Sequence, residues 1–211
     1  MGTRDKIKKT AQNLFAQRGY DGVSVREIAS QAGVNISAVS YHFGGKEQLL
    51  RDVMREGLVD FRSTISEIGD EALPLKDKIE LLLDAFLEFL HRKDSVSRIM
   101  FFELSMGGGR IPDIVGEHFS WVTSKFSSLL QDGVQRGEIR VTDELLTTLQ
   151  FVSLPVHLTY ARPIVEMMRG QQGYSRDFLK QVTRHITDVM FHGLSTQNAQ
   201  AAGSPDEMKH K

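Results

Sequence analysis

The sequence contains no cysteine in 211 residues. That excludes disulfides, zinc–thiolate sites and cysteine-held iron–sulfur clusters together. It also fits a reducing compartment, so a cytoplasmic protein is expected. The N-terminal stretch MGTRDKIKKTAQ lacks the apolar segment of a signal peptide. No run of about 18 apolar residues occurs, so neither a membrane span nor a membrane partner is expected. H-E-x-x-H and G-x-S-x-G are both missing. Of the seven histidines, His185 and His192 could share a helix face, but a third metal ligand is lacking. The reading is therefore not an enzyme, with no metal and no cofactor. Nor does any stretch alternate with period two long enough to argue for a sheet.

What is present is helical periodicity, nearly end to end. Ile7, Ala11, Leu14 and Phe15 form one apolar stripe, and Val25, Ile28, Ala29 and Ala32 a shorter one. Leu50, Val53, Met54, Leu58, Phe61 and Ile65 form a long third stripe, in a helix expected over about 46–68. Ile79 to Leu90, Val115 to Leu129 and Phe178 to Met190 supply further ones. The expected fold class is all-α, with about nine helices.

The punctuation agrees with the periods. Ser24 and Glu27 have the spacing of a capping box, Asn35 can cap a short helix ending near Phe43, and Gly44-Gly45 break the chain before Lys46. Gly137 ends a helix, Thr142 with Asp143 and Glu144 starts the next, and Ser175 caps the last. Pro155 and Pro163 fall inside an apolar segment, where kinks or a broken helix are expected. The polar, small-residue tail 195–211 is expected to be disordered.

The net charge is −1, but it is unevenly spread. Residues 1–66 carry ten Lys/Arg against seven Asp/Glu, so a mildly basic head precedes an acidic body. DNA binding calls for that kind of asymmetry. Within the head, SVREIASQAGVNISAVSYHF reads as two short helices around a glycine turn at Ala32-Gly33-Val34. Val25, Ile28 and Ala29 can pack on Val39 and Phe43, leaving Ile36, Ser37, Ser40 and Tyr41 outward. Short hydroxyls and an exposed tyrosine suit a helix pressed into a major groove. Taken alone, the fragment also fits an ordinary helical hairpin.

The head resembles the DNA-binding domain of the tetracycline-repressor (TetR) family of bacterial regulators. The resemblance rests on Ala11, Phe15, Gly19-Tyr20, Ser24 to Ala29, Ala32-Gly33-Val34, Tyr41-His42-Phe43, Lys46-Glu47 and Leu49-Leu50. The phrases YHFGGKEQLL and YARPIVEMM are similar to its CecR-like branch. Ser40 departs from the tyrosine many relatives carry there. The resemblance implies that residues 1–48 form a helix-turn-helix domain and that 49–194 sense ligand and dimerise. It implies Ser37, Ser40 and Tyr41 as base-facing residues, with Ile36 and Asn35 on the same helix. Arg26 would reach the groove or its backbone, and Ser24, His42 and Lys46 phosphates. Two final helices, about 142–169 and 175–194, would pair across a two-fold axis through Leu158, Phe178, Val182, Ile186 and Val189.

The middle of the chain is rich in large apolar residues with scattered polar groups, which is how small-molecule sites are built. Candidate ligand residues are Phe86, Leu90, Phe101, Phe102, Phe119, Val122, His157 and Tyr160, with Ser105 as a position from which a tryptophan would fill the cavity. Met106-Gly107-Gly108-Gly109-Arg110 is no phosphate loop and reads as an interhelical loop near a pocket mouth. The expectation is a homodimeric repressor that binds a palindromic double-stranded operator and leaves it when a small apolar ligand binds. The alternative is a helix-turn-helix protein controlled by a protein partner, or organising DNA, without a ligand.

Overall fold

Local signals and helix ends coincide closely in the computed structural model. The structure describes residues 1–66, 73–92, 94–107, 110–140 and 143–194, apart from the side chains at 60, 61, 63, 64, 66 and 194. Phe61's side chain, Gly108, Gly109, Thr142 and the 195–211 tail therefore lie outside the described residues. The described residues hold ten helices and no β-strand. None of these helices is long and apolar enough to cross a membrane.

Three short helices and the start of a fourth make the head. They are α1 (Thr3–Arg18), α2 (Val25–Ala32), α3 (Ile36–Phe43) and α4 (Lys46–Ser66). Ser24 caps α2 by accepting the Glu27 backbone N–H at 3.1 Å. Glu27 turns its carboxylate to the Arg18 guanidinium, so the cap ties α2 to the end of α1. Gly33 ends α2 with φ +65°, a left-handed conformation costly for any side chain, and this sets the angle at which α3 leaves. Asn35 caps α3 through the Ser37 N–H at 3.0 Å. Ile7, Phe15, Ile28, Val39 and Leu50 are fully buried between these helices.

The body contains α5 (Leu75–Arg92), α6 (Asp94–Ser105), α7 (Pro112–Gln135), α8 (Glu144–Tyr160), α9 (Arg162–Arg169) and α10 (Arg176–Leu194). Asp143 caps α8 and Ser175 caps α10, each accepting a backbone N–H three residues on. Pro74 directly precedes α5, its carbonyl accepting from the Lys78 N–H at 3.1 Å. α8 runs through Pro155, and the break falls later, at Ala161. Pro163 then sits in the first turn of α9, where a missing N–H costs nothing. That break divides the expected 142–169 helix and raises the count to ten.

Gly57 explains how α4 approaches α6. A Cβ there would lie 2.6 Å from Val96, so the bare backbone lets the two helices touch. α4 is continuous across the expected 48/49 boundary and links head to body.

Candidate nucleic-acid interface and sensor cavity

The DNA-facing candidates share the outer surface of α2 and α3. Val39 and Phe43 are buried against Ile28 and Ala29, which turns the opposite face of α3 outward. Ile36 is 48% and Tyr41 85% exposed. Ser24, Arg26, Asn35, Ser37 and Ser40 are exposed, and His42 is half-buried with its ring edge-on to Tyr41 at 5.0 Å. With the edge of the His42 ring beside it and 85% of its surface open, Tyr41 is available to meet a groove.

Lys46 is placed differently from a free phosphate clamp. Its ammonium donates to the Val23 carbonyl at 2.6 Å and sits 3.8 Å above the Tyr20 ring. Burial lowers its pKa from the ordinary lysine value. Lys46 thus holds the loop before α2 onto the start of α4, and its remaining N–H groups are the ones left for an anion. Lys46→Ala is expected to flatten the slope of log K against log salt by about 0.9, the share of one phosphate contact. Fluorescence anisotropy on a duplex at four salt concentrations measures it, and an unchanged slope would leave Lys46 a purely structural tie.

In the body, α5, α6, α7 and α8 line a cavity of about 250 Å³ that is open on one side. Seven of the eight ligand candidates line it: Phe86, Leu90, Phe101, Phe102, Phe119, Val122 and Tyr160. His157 does not. It is exposed on the outer side of α8, with Nδ1 3.0 Å from the Tyr160 hydroxyl. Ser105 is also outside the lining, exposed at the end of α6 with its hydroxyl on the Phe102 carbonyl. Phe101 and Tyr160 stack at 4.4 Å and are both partly exposed, marking the rim.

Two buried polar residues of the cavity wall, Ser97 and His118, were not among the ligand candidates. The Ser97 hydroxyl is buried and has no hydrogen-bond partner in the chain. His118 is buried beside the Phe89 ring. Burial, aided by the positive charge of Arg62, pushes its pKa down to about 4, so the imidazole is neutral near pH 7. The sequence signals were available, since both residues fall among the apolar stripes of α6 and α7. Apolar periodicity does not say which interior polar residue meets a void.

The cavity wall is also the head's neighbour. α6 packs along α1, with Gln12 donating to the Ser95 hydroxyl at 2.6 Å and Arg98 to the Ala16 carbonyl at 3.2 Å. Just before α7, Arg110 grips Asp21 bidentately at 2.6 and 3.0 Å and lies 4.3 Å from the Tyr20 ring centre. The Arg110 N–H is held in turn by the buried Glu103 carboxylate at 3.0 Å. Tyr20 therefore receives Arg110 from the body and Lys46 from the head.

The pairing candidates divide. Val182 and Ile186 are buried inside the single chain, on the helix that packs along α5. Thr187 on the same helix reaches Glu80 at 3.0 Å. Leu158 is buried, and its carbonyl accepts the Tyr174 hydroxyl at 2.8 Å. Phe178 is half-buried under Arg169, and only Val189 is open, at 59% exposure. Exposed apolar side chains also stand on α8, at Leu145, Leu146 and Leu149.

Residues 7–53 match the family model for bacterial regulatory proteins of the tetR family. The probable HTH-type transcriptional regulator YttP of Bacillus subtilis is 28% identical over 140 residues, covering 65% of this chain and 68% of that one. The HTH-type transcriptional repressor KstR2 of Mycolicibacterium smegmatis is 29% identical over 140 residues, 65% and 67% of the two chains. Among solved structures, FadR from Bacillus subtilis in complex with stearoyl-CoA superposes with a TM-score of 0.70. It is 21% identical, with 90% of this chain and 98% of that one covered. Residues 7–53 thus match the helix-turn-helix head of bacterial regulatory proteins of the tetR family, the relatives similar to this chain are HTH-type transcriptional regulators, and the same fold extends over most of its length.

Proposed function

We propose that this regulator is a homodimeric repressor that leaves a palindromic operator when an apolar small molecule enters the cavity between α5 and α8. Residues 1–48 read DNA, and 49–194 sense and dimerise. The observation that carries the reading is that one helix, α6, forms the cavity wall on one side and packs on α1 of the head on the other. A ligand that moves α6 also loads the Arg110–Asp21 grip and α4, which together orient the recognition helices. Half-sites one helical turn apart are about 34 Å from centre to centre, so a shift of a few ångströms spoils the register.

Similar proteins support a ligand of this class. Among the structures with this fold, KstR2 of Mycobacterium tuberculosis is a ketosteroid transcriptional regulator, and FadR was solved with stearoyl-CoA. The stretches at 41–50 and 160–168 favour a place in the CecR-like branch. The reading with a protein partner and no ligand goes with a solid core, and the cavity counts against it.

Selection of genomic DNA with the purified protein supplies the operator. Ser97→Phe, placed inside the cavity rather than at Ser105, is expected to keep operator affinity within about threefold. It should abolish release by whichever apolar compound releases the wild type. The coupling is reciprocal, so that compound binds DNA-bound protein more weakly by the same factor. A Ser97→Phe protein that still folds, binds and releases fully would put the sensor elsewhere.

A further inference from the structure

The outward face of α3 is short of the side chains that read bases with paired hydrogen bonds. Arg or Lys grips guanine bidentately, and Asn or Gln grips adenine. α3, Ile36–Phe43, contains none of these four. The nearest amide, Asn35, has its Oδ1 committed, accepting from the Ser37 N–H at 3.0 Å and the Ser37 hydroxyl at 2.9 Å. This removes the acceptor half of a grip on adenine. The same bond spends the Ser37 hydroxyl proton, so Ser37 faces outward as an acceptor only.

Ile36 is the opposite case. It is the first residue of α3, at the end of a recognition helix that reaches base edges. It is 48% exposed and held in place by the Asn35 cap immediately before it. Val39 and Phe43 already fill the interior side, so about half of the Ile36 side chain is left uncovered by its own chain. One feature of the major groove is apolar, the thymine C5-methyl group.

We infer that Ile36 reads a thymine methyl in each half-site of the operator, with Ser37 accepting from the exocyclic amino group of a neighbouring base. Specificity at that position rests on burying a methyl group rather than on a bidentate pair. The inference rests on the DNA-reading role of α3, and it adds which base is read and by what chemistry.

The test uses the full chain and an operator obtained by selection. Each thymine is replaced in turn by deoxyuridine, which removes only the C5 methyl. At one position per half-site the affinity of the wild type should fall about fourfold, the worth of one buried methyl group. Ile36→Ala should bind the thymine and uracil duplexes equally. Ile36→Val, which keeps a branched tip, should still discriminate. Alanine is the better helix former at an exposed position, so folding is preserved. No sensitive thymine, or a sensitivity that survives in Ile36→Ala, overturns the inference while leaving DNA binding intact. Failure to select any duplex overturns both it and the reading it rests on.

Discussion

Leu149→Asp combined with Val189→Asp should yield a folded monomer whose operator affinity is lower by at least about a hundredfold. Both side chains are exposed in the single chain, at 42% and 59%, so the new carboxylates stay hydrated and the protomer is unharmed. In a dimer built on the outward faces of α8 and α10 the same carboxylates enter an apolar seam unpaired. Such burial costs about 3–5 kcal/mol per ion. A monomer holds one half-site and forfeits the second, which is worth about 10² to 10⁴ in apparent affinity. Sedimentation velocity, far-UV circular dichroism and anisotropy on the operator read the three parts separately. Val182→Asp is the poorer test, because Val182 is buried within the protomer and the charge attacks folding itself. A double variant that remains dimeric would move the interface, and the exposed Ile164, Met167 and Met168 of α9 would be the next face to charge.

Acidification should destabilise the body through His118. Its folded pKa is about 4, against an ordinary value of 6.5. Between those two values the unfolded chain takes up a proton that the folded chain refuses. Stability from this residue is thus complete above about pH 6.5, declines as the pH falls, and levels off below about pH 4. The total loss is about 3 kcal/mol, at about 1.4 kcal/mol per pH unit. Other groups titrate in the same range, so the informative quantity is a difference. His118→Phe keeps a flat ring beside Phe89 and removes the titration. Urea midpoints at pH 7 and pH 4.5 should converge in the variant relative to the wild type. Equal pH dependence in both proteins would mean that His118 is protonated in the folded state and faces solvent or a counter-charge.

The helix-turn-helix was legible in the sequence because its determinants are local. Ser24, Gly33, Asn35 and Gly44 each act within a few residues of themselves, through a cap bond or a left-handed backbone angle. Apolar spacing then fixes which side of α3 is buried, so the outward set from Ile36 to Tyr41 follows from eight residues. The region of the cavity was singled out by large apolar residues with scattered polar groups on several helices, and seven of the eight residues named there line it.

What local pattern leaves open is which partner each apolar stripe meets. α10 carries Val182 and Ile186 toward α5 and Val189 toward solvent, and both sets have the same helical spacing. One stripe on one helix cannot distinguish its own core from a second subunit. His157 and Tyr160 are three residues apart on α8, yet one is outside the cavity and the other is at its rim. Proline alone does not locate a break either: α8 passes through Pro155 and ends before Pro163. The Arg110–Asp21 grip joins residues 89 positions apart, and nothing within either neighbourhood announces it. By itself, then, the sequence determined the helices, their caps and the face of α3 turned outward, because backbone hydrogen bonds and side-chain periodicity act over a few residues. Only the tertiary structure decided which polar groups face the void, which stripe stays exposed in the single chain and how α6 is fastened to the head, because each depends on helices that the chain brings together from far apart.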